Sequence, residues 1–255
     1  MNIPKKPILL TVLAVILAGA APAATLKYVG SGTPDCGNAL SAQALFQFDS
    51  LNTLTITLTN IASVNTSKYV NSDILFGMFF GSTNLGLTPL SAVAPKMING
   101  PGAVSCSSNC DQGRYWQYKS FSPANSNHHT ANGIATAGYG IFGGSGGYFG
   151  SSGSLAKHGI VPATFPGNLG ESVNDNNFGP FADNSLTFTL RTPAGFTLTP
   201  DRIGPVYFQY GTATSDSCLR GTLVTGVQTP EPLSTILIGA GLVAIAVVQR
   251  RRNAA

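Results

Sequence analysis

Chemistry-capable side chains are scarce in this chain: 255 residues hold four cysteines, three histidines and ten acids. Cys36, Cys106, Cys110 and Cys218 form an even set. In an oxidising compartment such a set reads as disulfides, with three connectivities open. Cys106 and Cys110 flank Ser107-Ser108-Asn109, a turn-forming triplet, so local closure of that loop is the first expectation. Cys36 and Cys218 would then tie the start of the body to its end. A metal site drawing on the cysteines with His128 and His129 is the alternative, but the spacing fits no zinc pattern. The expected metal set is therefore none, and no cofactor is expected.

The remaining motifs lack the context their chemistry needs. Gly143-Gly144-Ser145-Gly146-Gly147 satisfies G-x-S-x-G formally, yet a nucleophile elbow needs a buried strand before it and a helix after it. Gly138 to Gly143 satisfies G-x-G-x-x-G without a βαβ unit. Asn174-Asp175-Asn176-Asn177 offers oxygen ligands but not the distal acid of an EF-hand loop, and a turn is expected there. His128, His129 and His158 are expected as exposed loop histidines. Asp35, Asp73 and Asp201 sit beside turn residues, so no carboxylate pair for glycoside hydrolysis can be nominated. No catalytic residue is assigned, and the expected class is non-enzymatic. One binding constellation stands out: Tyr115, Trp116 and Tyr118, with Tyr139 and Tyr148, could form an apolar platform for sugar rings. The competing expectation is that these aromatics are core, because aromatics dominate β-cores.

The elements that would carry these residues alternate with period two. In Thr53 to Thr59 three aliphatic side chains face one way and four threonines the other. Leu186 to Leu190 repeats the design, Val206 to Tyr210 is a third case and Ala44 to Phe48 a fourth. Ile74 to Phe80 is continuously apolar and reads as a strand buried on both faces. No sustained helical period occurs in the body. Gly138 to Gly153 is glycine-rich but interleaved with Tyr139, Phe142, Tyr148 and Phe149, which predicts ordered loops and short strands rather than a disordered linker. The expected fold is all-β: an antiparallel β-sandwich, jelly-roll-like, spanning residues 24–229.

Both ends read as sorting signals. Lys5 and Lys6, the apolar stretch Ile8 to Ala18 and Ala21-Pro22-Ala23 form a signal peptide over residues 1–23, with Ala21 and Ala23 at the signal-peptidase site. At the other end stand Pro230-Glu231-Pro232, an apolar run from Leu233 to Val248, and Arg250-Arg251-Arg252. At about 1.5 Å per residue the run reaches roughly 24 Å, and Gln249 with the arginine stems can snorkel to complete a single transmembrane helix over 233–249. The arginines place that end on the cytoplasmic side.

This tail resembles the PEP-CTERM sorting signal of exosortase-dependent surface proteins in Gram-negative bacteria. Residues 230–255 carry the resemblance through Pro230, Glu231, Pro232, the short span and Arg250, Arg251 and Arg252. It implies transient anchoring in the inner membrane and cleavage near the motif by an exosortase. A looser resemblance, to a family of exosortase-dependent surface proteins, runs through the body: Leu54 to Asn60, Leu75 to Phe80, Leu87 to Ala92 and Phe208 to Thr212, in that order. It brings no catalytic residue with it.

The net charge of +4 belongs to the ends. Setting aside Lys5, Lys6, Arg250, Arg251, Arg252 and Glu231 leaves nine basic and nine acidic residues. A neutral body has no electrostatic footprint for nucleic acid. The expectation is an exported, exosortase-processed surface or extracellular-matrix protein, structural or adhesive, associated with exopolysaccharide or biofilm. A carbohydrate-binding module is the alternative, and a secreted hydrolase the second.

Overall fold

A computed structural model of the chain describes residues 24–33, 39–49, 51–63, 73–99, 103–121, 130–142, 146–165, 180–211, 216 and 218–224. These lie within one compact unit, Ala24–Val227. The sorting motif, the arginine cluster, Ala21, Ala23 and the apolar span 233–249 fall outside the described residues. Among the described residues no helix is long and apolar enough to cross a membrane.

The fold is all-β, as expected, and among the described residues the helical pieces include the short α1 (Pro200–Ile203) and a 3-10 turn at Ala137–Tyr139. The long strands are β1 (Ala24–Gly32), β2 (Leu40–Phe48), β3 (Thr53–Asn60), β4 (Leu75–Phe80) and β5 (Thr88–Ala94). Short pieces follow: β6 (Met97–Ile98), β7 (Val104–Cys106), β8 (Cys110–Asp111), β9 (Trp116–Ser120), β10 (Asn132–Thr136), β11 (Gly147–Tyr148), β12 (Ile160–Val161) and β13 (Phe181–Asp183). The set closes with β14 (Ser185–Arg191), β15 (Val206–Tyr210) and β16 (Cys218–Leu223).

Hydrogen bonding links these strands in the order β7-β6-β13-β12-β4-β15-β16-β1-β2-β3-β14-β5-β8, with β10, β9 and β11 extending from β4. The strands form one continuous path, because β16 pairs with β15 on one side and with β1 on the other. The ends of the path nearly meet. Strand β5 pairs with β14, and after Pro95-Lys96 the chain continues as β6, which pairs with β13. Residues 88–98 therefore pass from one half of the sheet to the other and bring it close to a closed barrel. Pairing is antiparallel except between β12 and β13, where Ile160 lies beside Ala182 in parallel.

Alternation does the sorting. In β3 and β14 every second residue is buried: Leu54, Ile56 and Leu58, then Leu186, Phe188 and Leu190, all with no exposed surface. Full burial of such a side chain is worth about 1.5–3 kcal/mol. The two halves of the sheet share this core: Phe46 packs edge-on against Phe80 at 5.6 Å, and Trp116 and Phe149 pack against Phe188 at 5.2 and 5.1 Å.

Strand β4 is buried along its whole length, as its sequence predicts. Strands β10 and β15 flank it, and its pairing with β15 skips a residue between Gln209 and Tyr210, leaving Phe76 as a bulge. A bulge resets which side the alternation faces. Leu75, Met78 and Phe80 thus join the main core, while Phe76 packs with Ile74, Ile98, Val161 and Phe181.

Two asparagines pin the ends of strands. Asn60 donates to the carbonyls of Asp73 (3.0 Å) and Ile160 (2.9 Å) and accepts from the Ala62 amide. Asn132 donates to the Phe80 and Thr83 carbonyls and accepts from the Tyr118 hydroxyl at 2.7 Å. Both are fully buried, and their amides satisfy backbone groups that the sheet ladder leaves open.

Candidate functional site

The residues singled out from sequence do not converge. Cys106 and Cys110 form the expected disulfide. Cys218 is a half-buried free thiol, its acidity pushed down by burial so that its pKa rises to about 12, and Cys36 lies outside the described residues. The expected long-range link between them therefore falls outside the described residues. His128, His129, Ser145 and the Asn174–Asn177 run also lie outside the described residues. Among the described residues no group of three or more His, Cys, Asp or Glu side chains is placed to hold a metal ion.

The aromatic platform is a correction. Trp116 and Tyr118 point into the core, 1% and 6% exposed, while Tyr115 and Tyr148 are partly accessible. Residues 116–120 form a strand paired on both sides, with β10 and β11. Alternation then sends Trp116 and Tyr118 inward together. Tyr118 keeps its proton well above the usual phenol range because burial disfavours the phenolate. Phe142 and Phe149 of the glycine-rich stretch pack inward as predicted.

His158 is a second correction. Expected on an exposed loop, it is 4% exposed, stacked on Tyr115 at 3.8 Å between ring centroids. Its Nδ1 lies 2.8 Å from Oε1 of Gln112, whose amide nitrogen donates to the Asp111 carbonyl. With Oε1 left as the acceptor, Nδ1 carries the proton in the neutral ring. Burial lowers the pKa of His158 to about 4. The centre is a packing element: the His158 Nδ1 and the Gln112 amide are matched inside the protein.

A concave feature among the described residues lies elsewhere. On the outward face of the sheet, cross-strand pairs set Gln47, Thr55, Thr189 and Ser91 in one row and Leu45, Thr57, Thr187 and Val93 in the next. Thr57 and Thr187 bring their hydroxyls within 3.2 Å of each other. At the β14–β5 end this face deepens into an open groove of about 430 Å³, lined by Val93, Pro95, Asn109, Ser185, Thr187 and Thr189. Strand β8 pairs with the end of β5, Ala94 opposite Cys110, which carries the disulfide-closed turn and Asn109 to the groove wall. Asn109 takes φ 47°, a left-handed conformation that Asn tolerates better than most residues. The lining has no ionisable group. Beside it, Lys96 and Asp183 are paired at 2.8 Å.

The threonine alternation is plain in the sequence, where it reads as a solvated face. The groove depends on Asn109 and Pro95 arriving through the β5–β8 pairing, which the two-residue strand β8 does not announce. The chain matches no protein-family model, no curated protein and no solved structure.

Proposed function

We propose that this chain is exported by its N-terminal signal peptide, anchored briefly in the inner membrane by residues 233–249, and cut by an exosortase near Pro230-Glu231-Pro232. The body then serves at the cell surface or in the extracellular matrix as a structural or adhesive protein associated with exopolysaccharide. The observation that carries this reading is the ordered set of Pro-Glu-Pro, uncharged apolar span and triple arginine, opposite an N-terminal leader with a signal-peptidase site. The body is read as a flattened, jelly-roll-like sandwich, its two halves joined at the edges. A neutral, hydroxyl-rich outer face supports the glycan association, since such a face solvates without ions and offers hydrogen bonds to polyols.

Oxidation outside the cytoplasm belongs to the same reading. We propose that Cys218 joins Cys36 there. Gly32, four residues before Cys36 in sequence, lies against the side chain of Leu219, the neighbour of Cys218.

Replacing Pro230, Glu231 and Pro232 with alanines tests the delivery step. The variant stays in the membrane fraction as a precursor while the wild type leaves it. Equal release of both would overturn exosortase processing. A carbohydrate-binding module is the second reading, favoured by the groove at β14 and β5 instead of by Tyr115, Trp116 and Tyr118. Turnover of exopolysaccharide by the purified protein would instead favour a secreted hydrolase.

A further inference from the structure

Resting on the glycan association proposed above, we infer that the groove between β14 and the disulfide-closed turn is the binding site for a neutral polysaccharide segment. Four features of the groove favour that occupant. Its lining of Val93, Pro95, Asn109, Ser185, Thr187 and Thr189 holds no charge, and the nearest ion pair, Lys96–Asp183, is internally matched. An acidic polymer would find no cation there, and a basic peptide no anion.

Ser185, Thr187 and Thr189 stand at every second position of one strand, so their hydroxyls recur about every 6.7 Å along a straight line. Each can donate and accept, which suits a ligand whose own groups are hydroxyls. Val93, Pro95 and the threonine methyls supply an apolar floor for the C–H faces of sugar rings. The amphipathic lining thus matches an amphipathic ligand.

The fourth feature is rigidity. Asn109 sits inside a turn closed by the Cys106–Cys110 bond, and the opposite wall is a strand paired on both sides by β3 and β5. Neither wall must be ordered on binding, which spares the entropy that weakens most hydrogen-bonded glycan contacts. The groove opens to solvent, so a polymer can lie along it.

The test uses the purified full chain and the exopolysaccharide of the producing cells, separated by anion exchange into neutral and acidic fractions and cut to oligosaccharides. Thr189→Val removes a hydroxyl while keeping the branched shape. Asn109→Gly removes the amide while tolerating the left-handed backbone. Each is expected to raise Kd for the neutral fraction about 2- to 10-fold, with an unchanged melting temperature. Thr25→Val, at the far side of the same face, is expected to leave Kd unchanged. Binding of the neutral fraction that is equal in wild type and groove variants overturns the groove assignment and leaves the glycan association standing. Failure of the wild type to bind the neutral fraction while it binds the acidic one overturns the groove assignment alone, and failure to bind either fraction overturns both. The processing step keeps its own separate test.

Discussion

Acidification should destabilise this fold through His158, over a window set by its burial. The ring is stacked on Tyr115, with Arg114 poised over the same tyrosine at 5.4 Å, and its pKa falls to about 4 against an ordinary value of 6.5. Above pH 6.5 the ring is neutral in both folded and unfolded chains and contributes nothing to pH dependence. Between 6.5 and about 4 the unfolded chain binds a proton that the native ring refuses, so stability falls as pH falls, by up to about 1.4 kcal/mol per unit. Below about 4 both states are protonated and the loss levels off, at an accumulated cost of about 2–4 kcal/mol.

His158→Phe keeps a flat ring against Tyr115 and cannot titrate. It leaves Gln112 Oε1 without its partner, a pH-independent cost of about 1–3 kcal/mol. Urea unfolding of both proteins at pH 7, 6, 5 and 4 isolates the histidine, because the carboxylates cancel in the difference. The wild-type advantage at pH 7 should shrink towards pH 4 and cross over if the titration cost exceeds the offset. A difference that stays constant across that range, or a native His158 resonance titrating near 6.5, would refute the reasoning.

Trp116→Ala should cost about 3–5 kcal/mol in urea unfolding, as expected for emptying a core site rather than a binding platform; unchanged stability would restore the platform. Gly138→Ala should lower the melting temperature, because a Cβ there would lie 2.6 Å from the backbone carbon and oxygen of Ala156, and neither can step aside alone. Peptide mapping without reduction should recover Cys106 joined to Cys110; a link from either to Cys36 or Cys218 would contradict the closed turn at the groove wall.

Long strands are legible in the sequence because a sheet with one buried face imposes strict alternation, which by itself assigns Leu54, Ile56 and Leu58 inward. The continuous apolar run of β4 marks a strand covered on both faces, although not the bulge that sends Phe76 into a cluster apart from Leu75, Met78 and Phe80. The closure of the sheet cannot be read that way. It depends on β6, β7, β8, β12 and β13, pieces of two or three residues too short to show any period, and on one chain segment switching halves at Pro95. The parallel pair Ile160–Ala182 is hidden for the same reason. His158 misleads because its neighbours Lys157 and Gly159 look like loop, while the ring that buries it, Tyr115, lies far away in sequence. The groove is half visible, as the Thr-x-Thr pattern of β14. Its other wall comes from a tertiary contact that no local pattern encodes.

Processing at both ends of the chain is tested most directly by intact-mass spectrometry of the protein recovered from the cell surface. The expected product begins near Ala24 and ends close to Pro230-Glu231-Pro232, without the Leu233–Val248 run. A surface protein that still carries that run and Arg250-Arg251-Arg252 would contradict exosortase cleavage.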